Sequence, residues 1–211
     1  LTRVFYGSKI SLLVGLLAAV VSLVIGTLYG AISGFRGGRT DDVMMRIVDV
    51  LYSLPYLFLV MLLIAAFGQS IVLLFIALGA VQWLSTARIV RGQVLSLKEK
   101  EFVQAARAVG TRPAAIILRH LIPNTLGPIV VYFSLTVPSV ILQEAFLSYL
   151  GLGVQAPRPS LGALISQGAS HMDVYPWELV SPALVMAALL FSLNFLGDGL
   201  RDALDPQMKR G

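Results

Sequence analysis

Thirty-eight consecutive residues, Val50 to Ala87, contain no Asp, Glu, Lys or Arg. As one helix they would reach about 57 Å, roughly twice the ~30 Å hydrocarbon core of a bilayer. The run therefore predicts two membrane spans, with Gly68-Gln69-Ser70 supplying the turn between them. Three more charge-free stretches predict further spans: Ile10 to Phe35, Leu121 to Gln143, and Leu179 to Gly197. A polar, Pro-rich segment from Gln155 to Trp177 separates the last two. The composition agrees with this reading, at 57% hydrophobic and only 13% charged against a usual charged share of about 25%. The expectation is an all-α, polytopic helical bundle of five spans, forming a single transmembrane domain over residues 1–211.

The scarce charges set the expected topology. Thirteen of the sixteen basic residues fall on one side of an alternating five-span chain. They are Arg36, Arg39 and Arg46 after the first span, Arg88, Arg91, Lys98, Lys100, Arg107, Arg112 and Arg119 between the third and fourth, and Arg201, Lys209 and Arg210 at the end. Only Arg3, Lys9 and Arg158 fall on the other side. Lysine and arginine accumulate on cytoplasmic loops, so this pattern predicts a cytoplasmic C-terminus and an external start. No signal-peptide pattern is visible. The chain opens on Leu1 rather than methionine, and a lost preceding span would give six helices with both ends inside.

Several chemistries are excluded. The absence of cysteine removes disulfides, thiolate nucleophiles and thiolate-bound metal, and two histidines, His120 and His171, are too few for a histidine metal cluster. No cofactor is expected. The net charge of +5 lies along a membrane face and gives no reason to expect nucleic acid. An intramembrane enzyme would need a nucleophile–base or two-carboxylate constellation, and a secondary transporter mid-membrane ionisable groups with repeat symmetry. Apart from Glu144 neither is present, although a transporter or channel not driven by ATP is the alternative kept open. Gly26, Gly30 and Gly34 share one helix face and predict close helix approach. Pro55, Pro128, Pro138 and Pro182 predict bends.

The inner segment from Arg91 to Ile122 is far longer than a helix connection needs. Glu101 to Val109, EFVQAARAV, predicts a short helix with an acidic start and Gly110 as its left-handed C-terminal cap. Thr111 is expected to cap a second helix with Pro113 in its first turn, running to Leu121 until Pro123-Asn124 breaks it. Residues 91–123 would then form a helix-turn-helix beneath the membrane. Ala105 and Ala106 are small enough to seat in a partner's groove, with Phe102 and Val103 offering apolar contact. A surface hairpin that merely anchors the bundle is the other reading of this composition.

Gln104-Ala105-Ala106, Gly110 after three residues, and the closing His120-Leu121-Ile122-Pro123 after nine more resemble the EAA loop of integral-membrane permeases of ATP-binding-cassette importers. FVQAARAVG and LRHLIPN are similar to the peptide/nickel branch, in the second-permease type of dipeptide and oligopeptide importers. ISLLVG (10–15), GFRGGRTDD (34–42), EAFLSYLGLG (144–153) and NFLGDGLRDALDP (194–206) extend the resemblance over essentially the whole chain. Gln104 departs from the Glu of the triplet, and Leu161 stands where the branch commonly has Trp.

The resemblance implies a non-catalytic transport subunit of the inner membrane. Its partners would be a second permease, two cytoplasmic ATPases and an extracytoplasmic substrate-binding protein. It implies that the EAA loop docks the ATPase, through Glu101, Phe102, Gln104, Ala105, Ala106, Arg107, Gly110, Arg119 and Pro123. Arg107 and Arg119 are either ion-pair partners there or ordinary inner-face positive charge. Glu144, a carboxylate in an apolar stretch near the outer end of its span, either bonds the following Leu150–Gly153 turn or belongs to the substrate path. Cargo identity is not written in the sequence.

Overall fold

A computed structural model describes residues 2–68, 70–153 and 159–204. All regular structure among them is helical. The elements are α1 (Thr2–Arg36), α2 (Gly38–Ser53), α3 (Tyr56–Phe67), α4 (Ile71–Leu97), α5 (Glu101–Ala108), α6 (Pro113–Ile116), a π-helical turn (Ile117–Leu121), α7 (Ile122–Tyr149), α8 (Leu161–Ser170) and α9 (Trp177–Leu204). Among the described residues, α1, the continuous helix Pro113–Tyr149 and α9 are each long and apolar enough to cross a membrane. The bent pair α2–α3 gives a fourth candidate.

The α1–α4 seam shows how the small residues build the bundle. A Cβ on Gly30 would lie 2.3 Å from the Ala87 carbonyl oxygen, one on Gly26 2.5 Å from the Thr86 Cβ, and one on Gly34 2.9 Å from the Arg91 carbonyl oxygen. Only glycine permits backbones to approach this closely, the packing that replaces the hydrophobic drive within lipid. The hydroxyls of Ser22 and Thr86 meet one turn further along, at 2.9 Å. The expected role of Gly26, Gly30 and Gly34 matches this geometry.

At one end of the bundle Val14, Ala18, Val60, Leu78, Val140 and Leu147 form one buried cluster from α1, α3, α4 and α7. A second cluster, with Ala31, Val90, Val94, Val103, Ile116 and Leu121, joins the opposite ends of α1 and α4 to residues 103–121. In contrast, α9 presents large side chains outward, with Phe191 74% and Phe195 73% exposed. Such an apolar outer face suits lipid or another membrane subunit, not water.

Three expectations need correction. The charge-free run from Val50 begins inside α2, and the chain bends by 88° before α3. Pro55 lacks an N–H and disfavours helix at the preceding residue, and Leu54 is extended at φ −75°, ψ 131°. The candidate span is therefore a broken helix whose second piece has only 12 residues. Secondly, Pro123 does not break the helix: Pro113–Tyr149 continues through it as 37 residues. The wide turn Ile117–Leu121 immediately before Pro123 opens the ladder where the proline ring would meet a carbonyl. Thirdly, the outer Pro-rich segment contains α8, whose Leu161 and Leu164 are buried against α1 and α9. Gly68, at φ 81°, caps α3 by donating its N–H to the Ile64 carbonyl at 2.8 Å. Gln69, Arg158, Asp205, Lys209 and Arg210 lie outside the described residues.

Candidate functional site

The inner segment is built on α5. Glu101 opens the helix, and Arg107 lies in its last turn, charges of the sign the backbone dipole favours at each end. Gly110 adopts φ 77° as expected, and the Thr111 N–H donates to the Ala106 carbonyl at 3.0 Å, closing the helix end. Thr111 is not the next cap: Arg112 precedes α6, with Pro113 at its start and no side-chain capping bond.

The two faces of α5 are distinct. Val103 is fully buried and Ala106 nearly so, packed with Val90, Val94 and Ile116. Glu101, Phe102, Gln104, Ala105, Arg107 and Gly110 are exposed. Val103 and Ala106, expected to meet a partner, are thus the side chains that fix α5 to its own bundle. They are three apart on the helix, so they share one face, and Ala105 is turned away from it. Arg107 lies over the Phe35 ring at 5.0 Å, a cation–π contact with the end of α1. Arg119 and Pro123 are exposed at the root of α7. Two exposed apolar side chains were not singled out by the motif: Val109, 81% exposed beside the Gly110 cap, and Leu118, 56% exposed in the π turn.

An ionic clasp braces the same end of the molecule. Arg91 of α4 donates from Nε and Nη2 to the two carboxylate oxygens of Asp41 at 2.6 and 2.5 Å. Ser33 of α1 donates to Asp41 Oδ1 at 2.5 Å. Asp41 is 5% exposed, so the fork binds α1, α2 and α4 at a largely dehydrated point where two-pronged geometry counts. One turn nearer the elbow, Arg88 pairs with Asp49 at 2.8 Å and lies over Tyr52 at 4.5 Å. The sequence carried this only as Asp41 in GGRTDD and Arg91 as one basic residue among many.

Glu144 is elsewhere. About 33 Å of helix separates it from the start of α7, so the structure does not bring it together with α5. It is fully buried, not near water as its position in the span implied. Ser148 donates to its Oε1 at 2.6 Å and Ser11 to its Oε2 at 3.1 Å. The Ser148 and Ser160 hydroxyls lie within hydrogen-bond distance of each other, at 3.3 Å. Ser160 accepts from the Ala163 N–H, and Ser11 from the Leu161 N–H. The chain of hydroxyls ties α1, α7 and the start of α8 through one carboxyl group. In the turn after α8 His171 meets Glu178 at 3.2 Å. No cluster of metal-ligating side chains occurs among the described residues.

This helical arrangement has solved counterparts. The chain superposes on a subunit of the MetNI methionine ABC transporter in an inward-facing conformation with a TM-score of 0.78, covering 97% of each chain at 18% identity. An amino acid ABC transporter gives a TM-score of 0.70 at 17% identity. At those identities the helical fold is what is shared. The sequence is more specific. Residues 26–210 match the family of binding-protein-dependent transport system inner membrane components, and the chain belongs to it. It is 58% identical to the oligopeptide transport system permease protein OppC of Haemophilus influenzae over 98% of this chain and 67% of that protein. To OppC of Escherichia coli K12 it is 56% identical, and to the dipeptide permease DppC of Bacillus subtilis 46%.

Proposed function

We propose that this chain forms one half of the translocation path of an ATP-driven peptide importer and that α5 is where ATP is felt. The supporting observation is the division of α5 into an inner face held by Val103 and Ala106 and an outer face of Glu101, Phe102, Gln104 and Ala105. Anchored to both α4 and α7, the helix moves as part of the bundle, and coupling requires such a rigid link between the nucleotide state of a partner and the path. Two cytoplasmic ATPases, a second permease and an extracytoplasmic binding protein complete the assembly, and the chain itself carries out no catalysis. The C-terminus and residues 91–123 face the cytoplasm, and α4 with the broken α2–α3 helix brings the count to five spans. Glu144 acts as a clasp at the outer end.

Two neighbouring alanines test this. Ala105→Arg places a bulky charge on the outer face, and uptake by the reconstituted transporter is expected to fall about tenfold or more, a loss of some 1.4 kcal/mol of docking. The amount of folded subunit should be unchanged. Ala106→Leu forces volume into the cluster beneath α5 and lowers the yield of folded subunit instead. Equal uptake by Ala105→Arg and the natural chain overturns the docking face.

A further inference from the structure

A cavity of about 390 Å³ lies between the α2–α3 elbow, α4 and α7, within the size range of small-ligand sites. Tyr52, Ser53, Tyr56, Gln82, Ser85 and Gln143 supply its polar lining. None of its lining residues is ionisable as an acid or base except the two tyrosines. Each neutral polar group within a membrane needs a partner, so this clustering calls for one.

Two independent features mark this as a place where something binds. First, the wall of the cavity is the helix break itself, Ser53-Leu54-Pro55, with its 88° bend. At the end of a helix the last carbonyls run out of intrahelical partners. Irregular backbone at membrane depth is tolerated where it is buried in protein or lines a polar cavity, and interrupted helices mark binding sites in other transporters. Second, Tyr56 OH and Gln143 Oε1 are buried and have no hydrogen-bond partner. Each such group costs about 1 to 3 kcal/mol, which rotation of either side chain into the adjoining cavity, toward a ligand with complementary groups, would relieve.

The chemistry of the lining selects the ligand. Amides and hydroxyls both donate and accept, matching the alternating N–H and C=O groups of an extended peptide main chain. No ionised side chain lines it: Arg88, at the adjoining turn, is engaged by Asp49 and Tyr52, and Glu144, next to Gln143, is buried behind the lining and bonded to Ser11 and Ser148. We infer that this cavity is a waypoint that holds the main-chain amides of the transported peptide, without regard to its side-chain charge. The inference rests on the peptide-importer reading above and specifies which groups of the cargo this subunit reads.

The natural chain has no cysteine, so Gln82→Cys and Ser85→Cys each introduce its only thiol. In the assembled transporter reconstituted in liposomes, a charged, water-soluble thiol reagent should label both positions. A short neutral peptide should slow labelling fivefold or more, whereas the same peptide methylated on its main-chain nitrogens should slow it far less. Gln143→Leu should lower peptide uptake about tenfold. Thiols that react only after unfolding would show a cavity closed by a neighbouring subunit and overturn the inference. Equal protection by the two peptides would overturn the reading of main-chain amides. Uptake by the natural chain is measured alongside: if it imports no peptide, the importer reading itself fails, whereas normal uptake in Gln143→Leu removes the waypoint alone.

Discussion

At the scale of single residues, closeness of approach decides which small side chains matter. Gly30 and Gly92 are both helical glycines, yet a methyl group on Gly30 would collide with the Ala87 carbonyl oxygen whereas one on Gly92 meets nothing within 4 Å. Gly30→Ala should therefore separate α1 from α4 and lower the thermal midpoint of the detergent-solubilised subunit, at a cost of about 1 to 3 kcal/mol. Gly92→Ala should leave the midpoint unchanged or raise it, since alanine is favoured over glycine in a helix by about 1 kcal/mol. Matching shifts in the two variants would contradict the close seam. The spacing of Gly26, Gly30 and Gly34 made this seam legible in advance, because small residues four apart have one common geometric consequence. Ala105 and Ala106 were not separable in that way. Their types are identical, and only the position of Val103 against Val90 and Val94 shows which of them turns inward.

At the scale of elements, the long helices followed from charge-free length, and α5 from its acidic start and glycine stop. What escaped was determined by pairing over distance. The clasp between Asp41 and Arg91 spans fifty positions, and α8 is stabilised by a hydroxyl chain that begins in α1 and α7. Neither leaves a local pattern. The clasp gives a prediction of its own: Asp41→Asn or Arg91→Gln leaves a charged partner poorly satisfied at a mostly buried point, and uptake per ATP hydrolysed should fall severalfold as α2 loosens from α4. Exchanging the two residues, Asp41→Arg with Arg91→Asp, should recover part of the loss. A double exchange no better than the worse single variant would mean that the pair contributes through separate contacts. The break at Pro55 was foreseen as a bend, but its 88° magnitude depends on where α3 finds its buried contacts through Val60.

At the scale of the whole molecule, orientation is the property that the arrangement of charge speaks to most directly. Thirteen basic residues on one side and three on the other predict that Val109→Cys, in an otherwise cysteine-free chain, reacts with an impermeant thiol reagent only from the cytoplasmic side. Met172→Cys, in the turn after α8, should react only from outside. Both positions are well exposed, at 81% and 53%, so failure to label would not be due to burial, and labelling of both from one side would refute the topology. Lateral partners were less legible, because an apolar helix face reads alike whether lipid or protein covers it. The outward Phe191 and Phe195 of α9 are such a face.

The unbroken run from Pro113 to Tyr149 also has a mechanical consequence. Thirty-seven residues make a rod of about 55 Å, so that one end protrudes well beyond a 30 Å hydrocarbon layer. Near the far end the carboxyl group of Glu144 is bonded to α1 through Ser11, and through Ser148 of its own helix it reaches Ser160 at the start of α8. A rod pinned at one end and displaced at the other swings. With an arm of about 33 Å between Glu144 and the inner root of α7, a sideways displacement of about 3 Å becomes a tilt of about 5°. Gln143, one residue from the pin, would scarcely travel, whereas the wide turn at Ile117–Leu121 would sweep the full arc. The molecule thus has a hinge point at the Glu144 end of this rod and a handle at the other.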